Sequence, residues 1–192
     1  TTTTKTTTTT SSTPFTGTTV GLGYTRSTTE AAGTSLSNGN MNVSVGYTVP
    51  LAPSVVGTNT VTPTIGVNAG VTIGNQGTVR TGGTTATQCG EFDYGCVAAS
   101  GSTNTTQISN TVAVSAQPGV IINNNVQVYA NVGGVVANRD VSNSQSRETG
   151  SRIGAGVGVS VSDQVSVNVQ ANRDSISGTR VNSVGVGLSV GL

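Results

Sequence analysis

Few residues in this sequence could carry out acid-base or nucleophilic chemistry. The chain has 192 residues, 8% of them charged, and no histidine. Without histidine, neither a Ser-His-Asp nor a Cys-His arrangement can be built. Two carboxylate pairs are conceivable, Glu91 with Asp93 and Asp140 with Glu148, but all four residues fall in predicted loops, where solvated surface charge is the commoner interpretation. We therefore expect no active site, no cofactor and no enzymatic activity.

Two cysteines form the other candidate chemical site. Cys89 and Cys96 bracket the sequence CGEFDYGC in a stretch rich in glycine and threonine. A zinc site would need about four ligands, and only two thiols are offered. Cysteines that close so short a loop favour a disulfide over free thiols, and hence an oxidising compartment. The disulfide would either only stabilise the longest loop or display four candidate contact residues at its tip, namely Glu91, Phe92, Asp93 and Tyr94.

Composition narrows the class of protein. The net charge is +1, which gives no electrostatic reason to expect nucleic acid as a partner. Abundant valine and threonine argue against disorder, which usually accompanies high net charge and few β-branched residues. No apolar run approaches the roughly 18 to 20 residues of a transmembrane helix, and the opening TTTTKTTTTT is not a signal peptide. We expect a mature form whose signal peptide has been cleaved.

The elements that must position any site are strands, because apolar and polar residues alternate with a period of two. Between Met41 and Leu51, for example, every second residue is Met, Val, Tyr or Leu, and the residues between them are mostly Asn, Ser, Gly and Thr. No comparable period of 3.6 residues appears, so little or no helix is expected. Eight strands are predicted, near residues 15 to 25, 41 to 51, 60 to 73, 106 to 116, 120 to 133, 152 to 161, 164 to 172 and 181 to 192.

The connections between these strands alternate in length. Residues 117 to 119 and 162 to 164 are predicted as tight turns and 52 to 59 as a fairly short connection, whereas 26 to 40, 74 to 105 and 134 to 151 are long. An antiparallel meander would then have its short turns at one end and its long loops at the other. Charged residues are segregated in the same way, since only Lys5 and Asp163 fall outside the long connections and their borders. The other charged residues are Arg26, Glu30, Arg80, Glu91, Asp93, Arg139, Asp140, Arg147, Glu148, Arg152, Arg173, Asp174 and Arg180.

The polar face of the strands indicates which side points outward. Strands of soluble proteins usually place Lys, Glu or Arg on the solvent face, but here the polar face is almost entirely Gly, Ser, Thr and Asn. We therefore expect the apolar face to lie outside. An apolar exterior must be covered by lipid or by other subunits, because monomers rarely expose large apolar patches to water.

Over residues 15 to 192 the sequence resembles the small eight-stranded outer-membrane β-barrel family. The eight alternating strands, the short-turn and long-loop asymmetry and the apolar final strand VNSVGVGLSVGL carry the resemblance. It implies an all-β fold, an eight-stranded antiparallel up-and-down β-barrel, in the outer membrane or at the extracellular cell surface. The predicted domains are an extended N-terminal tail over residues 1 to 14 and the barrel over residues 15 to 192.

The tail is the basis of a hypothesis about assembly. Ten glycines line the predicted interior, and such small residues would leave unfilled space: Gly21, Gly23, Gly46, Gly66, Gly70, Gly154, Gly156, Gly158, Gly185 and Gly187. The tail of one subunit could enter the next barrel and build a head-to-tail filament through Thr1, Thr2, Thr3, Thr4, Lys5, Thr6, Thr7, Thr8, Thr9 and Thr10. The alternatives are a tail that plugs its own barrel, an O-glycosylated stalk or a linker.

Three functions are compatible with these features. The first is a structural subunit of a cell-surface or extracellular filament, whose partners are copies of itself and possible lipid around the barrel. The second is a monomeric outer-membrane barrel that acts as an anchor, an adhesin or a narrow pore. The third is a soluble β-sandwich pilin with donor-strand exchange.

Overall fold

The computed structural model describes residues 15–31, 34–81, 104–141 and 144–192. The described residues form nine strands and no helix, and none of them lies in a helix long and apolar enough to cross a membrane. The strands are β1 (Gly17–Ala31), β2 (Thr34–Pro50), β3 (Ser54–Val56), β4 (Asn59–Thr81), β5 (Asn104–Ile122), β6 (Val126–Val141), β7 (Ser144–Ser160), β8 (Val165–Ile176) and β9 (Thr179–Gly191).

All strands except β3 close into a barrel. Each pairs antiparallel with its neighbours in chain order, β2 pairs directly with β4, and the ring closes where β9 pairs with β1. At the closure Leu22 lies opposite Leu188 and Glu30 lies opposite Arg180. Closure satisfies the backbone hydrogen bonds of every barrel strand without leaving a free edge. The predicted eight-stranded antiparallel up-and-down barrel is confirmed.

The barrel has two unlike ends. One end, here called the turn end, carries the connections at residues 51–58, 123–125 and 161–164 and both ends of the barrel chain, Gly17 and Gly191. The opposite end, here called the loop end, is where β1, β4 and β6 end and β2, β5 and β7 begin, and it carries the turn at Ser177 and Gly178. That last turn is a two-residue hairpin with left-handed φ angles of 45° and 79°, as type I′ turns require.

Two of the predicted long connections are wrong. Residues 26 to 40 and 134 to 151 are mostly strand, because β1 and β2 pair out to Ala31 and Thr34, and β6 and β7 pair out to Val141 and Ser144. The prediction took the end of the apolar alternation for the end of the strand. These strands continue toward the loop end with polar residues on the outward face, where the Thr28 and Ser37 hydroxyls are hydrogen-bonded at 2.9 Å.

The predicted tight turn at residues 117 to 119 is also wrong. β5 runs through Pro118 to Ile122, and the chain reverses at Asn123, Asn124 and Asn125. Asn123 and Asn124 have φ angles of 50° and 57°, a left-handed conformation that asparagine tolerates better than most residues. Proline lacks an N–H, and pairing with β6 is interrupted at residues 117 and 118 before it resumes at Gly119.

The connection predicted between Ala52 and Asn59 contains a short strand. β3 forms a hairpin with the start of β4, pairing Ser54 with Val61, and turns at Gly57, whose φ is 64°. β3 is exposed along its whole length. The turn predicted at residues 162 to 164 is confirmed, since the Val161 N–H donates a 2.8 Å hydrogen bond to the Val165 carbonyl across it and the Val165 N–H donates one of 3.3 Å to the Ser162 carbonyl.

The barrel wall separates an apolar exterior from a mostly polar interior. Side chains on one face of each strand are exposed and mostly Val, Leu, Ile or Tyr, whereas those on the other face are buried and mostly Thr, Ser, Asn or Gly. The predicted orientation of the faces is therefore confirmed. Phe15 and Ile121 are buried toward the turn end, and the other buried apolar side chains form one cluster inside the loop end of the barrel: Ile108, Ala113, Val135, Ala137, Ile176 and Val181.

Candidate functional site

The exterior of the barrel carries a continuous band of exposed apolar side chains. Leu22, Leu188 and Ile65 are each 56% exposed, and every barrel strand contributes similar residues. Such a band would be unfavourable in water, where monomers rarely expose apolar patches of more than a few hundred Å². A hydrocarbon environment stabilises it by roughly 1 to 2 kcal/mol per side chain removed from water. The band therefore fits a lipid bilayer.

A ladder of side-chain amides crosses the interior near the middle of the barrel. The Gln117 side-chain amide donates a 2.7 Å hydrogen bond to Asn131 Oδ1, and the Asn131 amide donates one of 3.1 Å to Asn172 Oδ1. Ser183 Oγ donates to the backbone carbonyl of Asn172 at 3.4 Å. The hydrogen bond between Asn131 and Asn172 joins β6 to β8, which are not neighbours in the wall, whereas the other two bonds join adjacent strands.

An ion pair lies beside this ladder. Arg152 Nε donates to Asp174 Oδ1 and Arg152 Nη2 donates to Asp174 Oδ2, both at 2.7 Å. The two residues are register partners on β7 and β8, and their side chains are 14% and 2% exposed. The bidentate geometry satisfies both carboxylate oxygens away from bulk water. It is the one ion pair among the described residues.

The interior retains less unfilled space than its inward glycines suggest, and the cavity that remains is lined in part by Gly21, Gly23, Gly70 and Gly187. The glycines do face inward, but Gly156 and Gly158 lie under the aromatic rings of Tyr129 and Phe15. Phe15 is only 4% exposed, and it lines the interior cavity near the turn end. The remaining cavity has a volume of about 90 Å³. A cavity of this volume can hold several water molecules, which need roughly 10 to 15 Å³ each, but it is too small for an extended peptide.

The loop end of the barrel carries most of the described charges. Glu148 accepts hydrogen bonds from Ser177 Oγ at 2.5 Å and from Ser146 Oγ at 3.2 Å. These hydrogen bonds, the one from Ser177 first, hold the pKa of the exposed Glu148 carboxyl below its usual range. Arg139 faces the same mouth, and its Nε is buried with no hydrogen-bond partner among the described residues.

Several predicted site residues lie outside the described residues. These are Cys89, Cys96, Glu91, Phe92, Asp93, Tyr94 and the tail residues Thr1 to Thr10, so the disulfide, the loop contacts and the tail contact remain predictions. Asp140 and Glu148 do not form a carboxylate pair, because alternation along β6 and β7 places Asp140 on the outer face and Glu148 on the inner face. Within the described chain no group of three His, Cys, Asp or Glu side chains could hold a metal ion.

Sequence reasoning missed the pairing of Arg152 with Asp174. Both had been assigned to the borders of loops, whereas both belong to strands and point inward. The sequence contains a signal for this orientation. Arg152 is two positions from the inward-facing Gly154, Asp174 is two positions from the inward-facing Asn172, and residues two positions apart in a strand point to the same face. Extending the alternation past the apolar band would have placed both residues in the lumen.

A family model for the outer membrane protein beta-barrel domain matches residues 5–191. The chain belongs to this family. Its residence is therefore the outer membrane, in agreement with the apolar band and with the sequence-based expectation. No curated protein matches the chain.

Solved structures share the fold at low sequence identity. Ail, the attachment invasion locus protein of Yersinia pestis, crystallised with the heparin analogue sucrose octasulfate, is 14% identical with a TM-score of 0.56, over 90% of this chain and 96% of that chain. Neisserial surface protein A is 13% identical with a TM-score of 0.54, over 92% of this chain and 97% of that chain. At this level of identity the likeness concerns the fold alone.

Proposed function

We propose that the protein is a monomeric outer-membrane barrel that anchors and displays a recognition surface, in the manner of an adhesin, and has no enzymatic activity. The observation that carries this proposal is the contrast between a filled lumen and a wall that extends past the apolar band at the loop end. β1, β2, β6 and β7 continue beyond the band with polar outward faces. Barrels of this family place longer loops outside the cell and short turns in the periplasm, so this extension would stand above the lipid.

The segment that the barrel would display is residues 82–103. It connects Thr81 of β4 with Asn104 of β5, the strands that frame it at the loop end. It contains the predicted disulfide between Cys89 and Cys96 and the candidate contact residues Glu91 to Tyr94. Loops presented by a rigid scaffold are a common location for binding residues.

The filled lumen favours an anchor over a pore. The apolar cluster around Ile108, Ile176 and Val181, each no more than 1% exposed, occupies the loop end of the lumen. Phe15 and Tyr129 occupy space nearer the turn end. A pore would need a continuous water-filled path between the two ends. In planar bilayers we expect no stable conductance steps, and regular steps would favour the pore.

Adhesion can be tested by displaying the barrel on a non-adherent bacterial host. One variant replaces residues 84–101 with a Gly-Ser linker, and a control variant replaces the tight turn at 162–164 with Asn-Gly. Both barrels should fold, as judged by the mobility shift of unheated samples on detergent gels. Binding to cultured cells and to matrix-coated surfaces should be lost in the loop variant and kept in the control. Equal binding by both variants would contradict the proposal.

A filament built through the N-terminal tail is the second candidate. The abundance of threonine in residues 1–10 is its only support. The closed barrel offers no free edge in its wall, and the cavity of about 90 Å³ has no room for a donated strand. Negative-stain electron microscopy of surface material from cells with and without residues 1–14 tests it. Fibres that disappear with the deletion would replace the monomeric proposal, and an absence of fibres in both samples would eliminate the filament.

A further inference from the structure

A groove interrupts the apolar band on the outside of the barrel. It crosses β7, β8, β9 and β1 at the border between the apolar band and the charged loop end, and its volume is about 520 Å³. Its lining is predominantly apolar and includes Arg26, Ile153, Ala155, Ala171, Arg173 and Val184. No part of the proposed adhesive function uses this surface.

The floor of the groove consists of two alanines. Ala155 on β7 and Ala171 on β8 are register partners, so their side chains lie side by side on the outer face. The walls are the larger side chains of Ile153 and Val184, which are 61% and 57% exposed. Elsewhere the band consists mainly of Val, Leu and Ile, so the alanine pair creates a depression. Its width and apolar character suit a hydrocarbon chain.

Two arginines border this floor, Arg26 in the same register row as the alanines and Arg173 on the loop-end side. Arg26 on β1 lies opposite Val184, and Val184 lies opposite Ala171. Arg173 lies opposite Ile153 and Asn182, one outward-facing step nearer the loop end. Two strand spacings and one such step separate the two arginine Cα atoms by about 12 Å, a distance that two extended arginine side chains can bridge together.

Neither arginine has an acidic partner among the described residues. The ion pair there is the interior one between Arg152 and Asp174. The nearest outward acid, Glu30, lies opposite Arg180 and accepts a hydrogen bond from Asn182 at 3.3 Å. The groove therefore combines an apolar floor with two uncompensated guanidinium groups, which prefer planar bidentate contacts with phosphate oxygens.

We propose that this groove binds a phosphate-bearing lipid of the surrounding leaflet, with an acyl chain on the floor of Ala155 and Ala171 and the phosphate held between Arg26 and Arg173. The charges match, and Arg173 lies one outward-facing step nearer the loop end than the alanines, which is the head-to-tail order of a lipid in the leaflet at that end. The inference goes beyond the proposed function and depends only on residence in the membrane. A barrel that proves non-adhesive can still bind this lipid.

The test is native mass spectrometry of the full chain refolded in neutral, non-ionic detergent. The probes are dioleoyl phosphatidic acid and dioleoyl phosphatidylcholine, which have the same acyl chains. The unchanged protein should bind phosphatidic acid with one-to-one stoichiometry and at least about tenfold more tightly than phosphatidylcholine. The R26Q/R173Q variant should lose that preference, because it loses two charge-assisted contacts.

Two further variants separate a built site from diffuse attraction. R147Q removes an exposed outward arginine of the same loop end that does not line the groove, so it should leave the affinity unchanged. A171L fills the floor without changing charge, and it should also weaken phosphatidic acid binding roughly tenfold while the barrel still folds. An equal loss in R147Q would overturn the proposal in favour of diffuse charge. Unchanged binding in A171L, or competition by inorganic phosphate at millimolar concentration, would show a headgroup site without an acyl site and would overturn it as well.

Discussion

Replacing Asp174 with asparagine should destabilise the barrel more than any exposed charge substitution. Asp174 is 1% exposed and both of its carboxylate oxygens accept hydrogen bonds from Arg152. The asparagine side chain has nearly the same shape but can accept only one of these bonds. It also leaves the Arg152 guanidinium without a counter-charge inside the lumen. The Asp174→Asn variant thus tests electrostatic pairing with little change in packing.

The magnitude follows from the burial of the two partners. Breaking a fully buried ion pair by removing one partner destabilises a protein by about 3 to 5 kcal/mol. Arg152 is 14% exposed and lines the interior cavity, which has room for water molecules, so its charge can be partly solvated after the substitution. We therefore expect a loss near the lower limit, about 3 kcal/mol in the free energy of unfolding.

Reversible urea unfolding in detergent micelles, followed by tryptophan-independent far-ultraviolet circular dichroism, measures this loss. The matched control is Arg147→Gln, which removes an exposed charge of the same strand and should change the free energy by less than about 0.5 kcal/mol. The double variant Arg152→Met with Asp174→Leu removes both charges and should recover most of the stability, because no charge is left unpaired. An Asp174→Asn variant as stable as the Arg147→Gln control would refute a structural role of the interior ion pair.

Three further outcomes are expected. Gly156→Val should destabilise the barrel by about 1 to 3 kcal/mol in the same assay, because the new side chain would overlap the ring of Tyr129, and Tyr129→Ala should reduce that penalty. Asn124→Ala should cost about 1 kcal/mol at the left-handed φ of 57°, whereas Asn124→Gly should be neutral or slightly stabilising. The lowered pKa of Glu148 means that its contribution to stability is present above the unfolded pKa and is lost as pH falls through the folded pKa. Carboxyl NMR titration should show a smaller shift in Ser177→Ala, because the hydrogen bond from Ser146 remains.

Much of the barrel was predictable because lipid and lumen impose opposite chemistry on alternate residues. The alternation in β2, β4 and β9 predicts the apolar parts of these strands and their outward faces from the sequence alone. The ends of the strands were less predictable, since the constraint from lipid stops where the strand leaves the bilayer. Thr28 and Ser37 pair across β1 and β2 in that region without any apolar alternation to indicate a strand.

The turns show a second limit of sequence reasoning. Pro118 and Gly119 have the composition of a tight turn, yet they lie within β5, where Pro118 points its ring outward and Gly119 leaves room for Tyr129 on the inside. The true turn, Asn123 to Asn125, interrupted an otherwise apolar run and had been read as part of a strand. Local propensity permits a turn at residues 117–119 and another at residues 123–125. The pairing of β5 with β4 out to Ile122 shows that the chain turns at the second of these positions.

The lumen explains why glycine count was a poor guide to empty space. An inward glycine has no side chain of its own, but a large side chain from elsewhere in the barrel can occupy the space beside it. On β7, Gly156 is covered by Tyr129 of the neighbouring β6, and Gly158 is covered by Phe15, which precedes β1 and comes from a part of the wall that does not adjoin β7. Close packing of the interior therefore depends on side chains from several strands together and cannot be judged from the glycines of one strand. An interior filled in this way favours the outer surface as the place for the two proposed interactions, with a macromolecule at the loop end and with a lipid along the alanine groove.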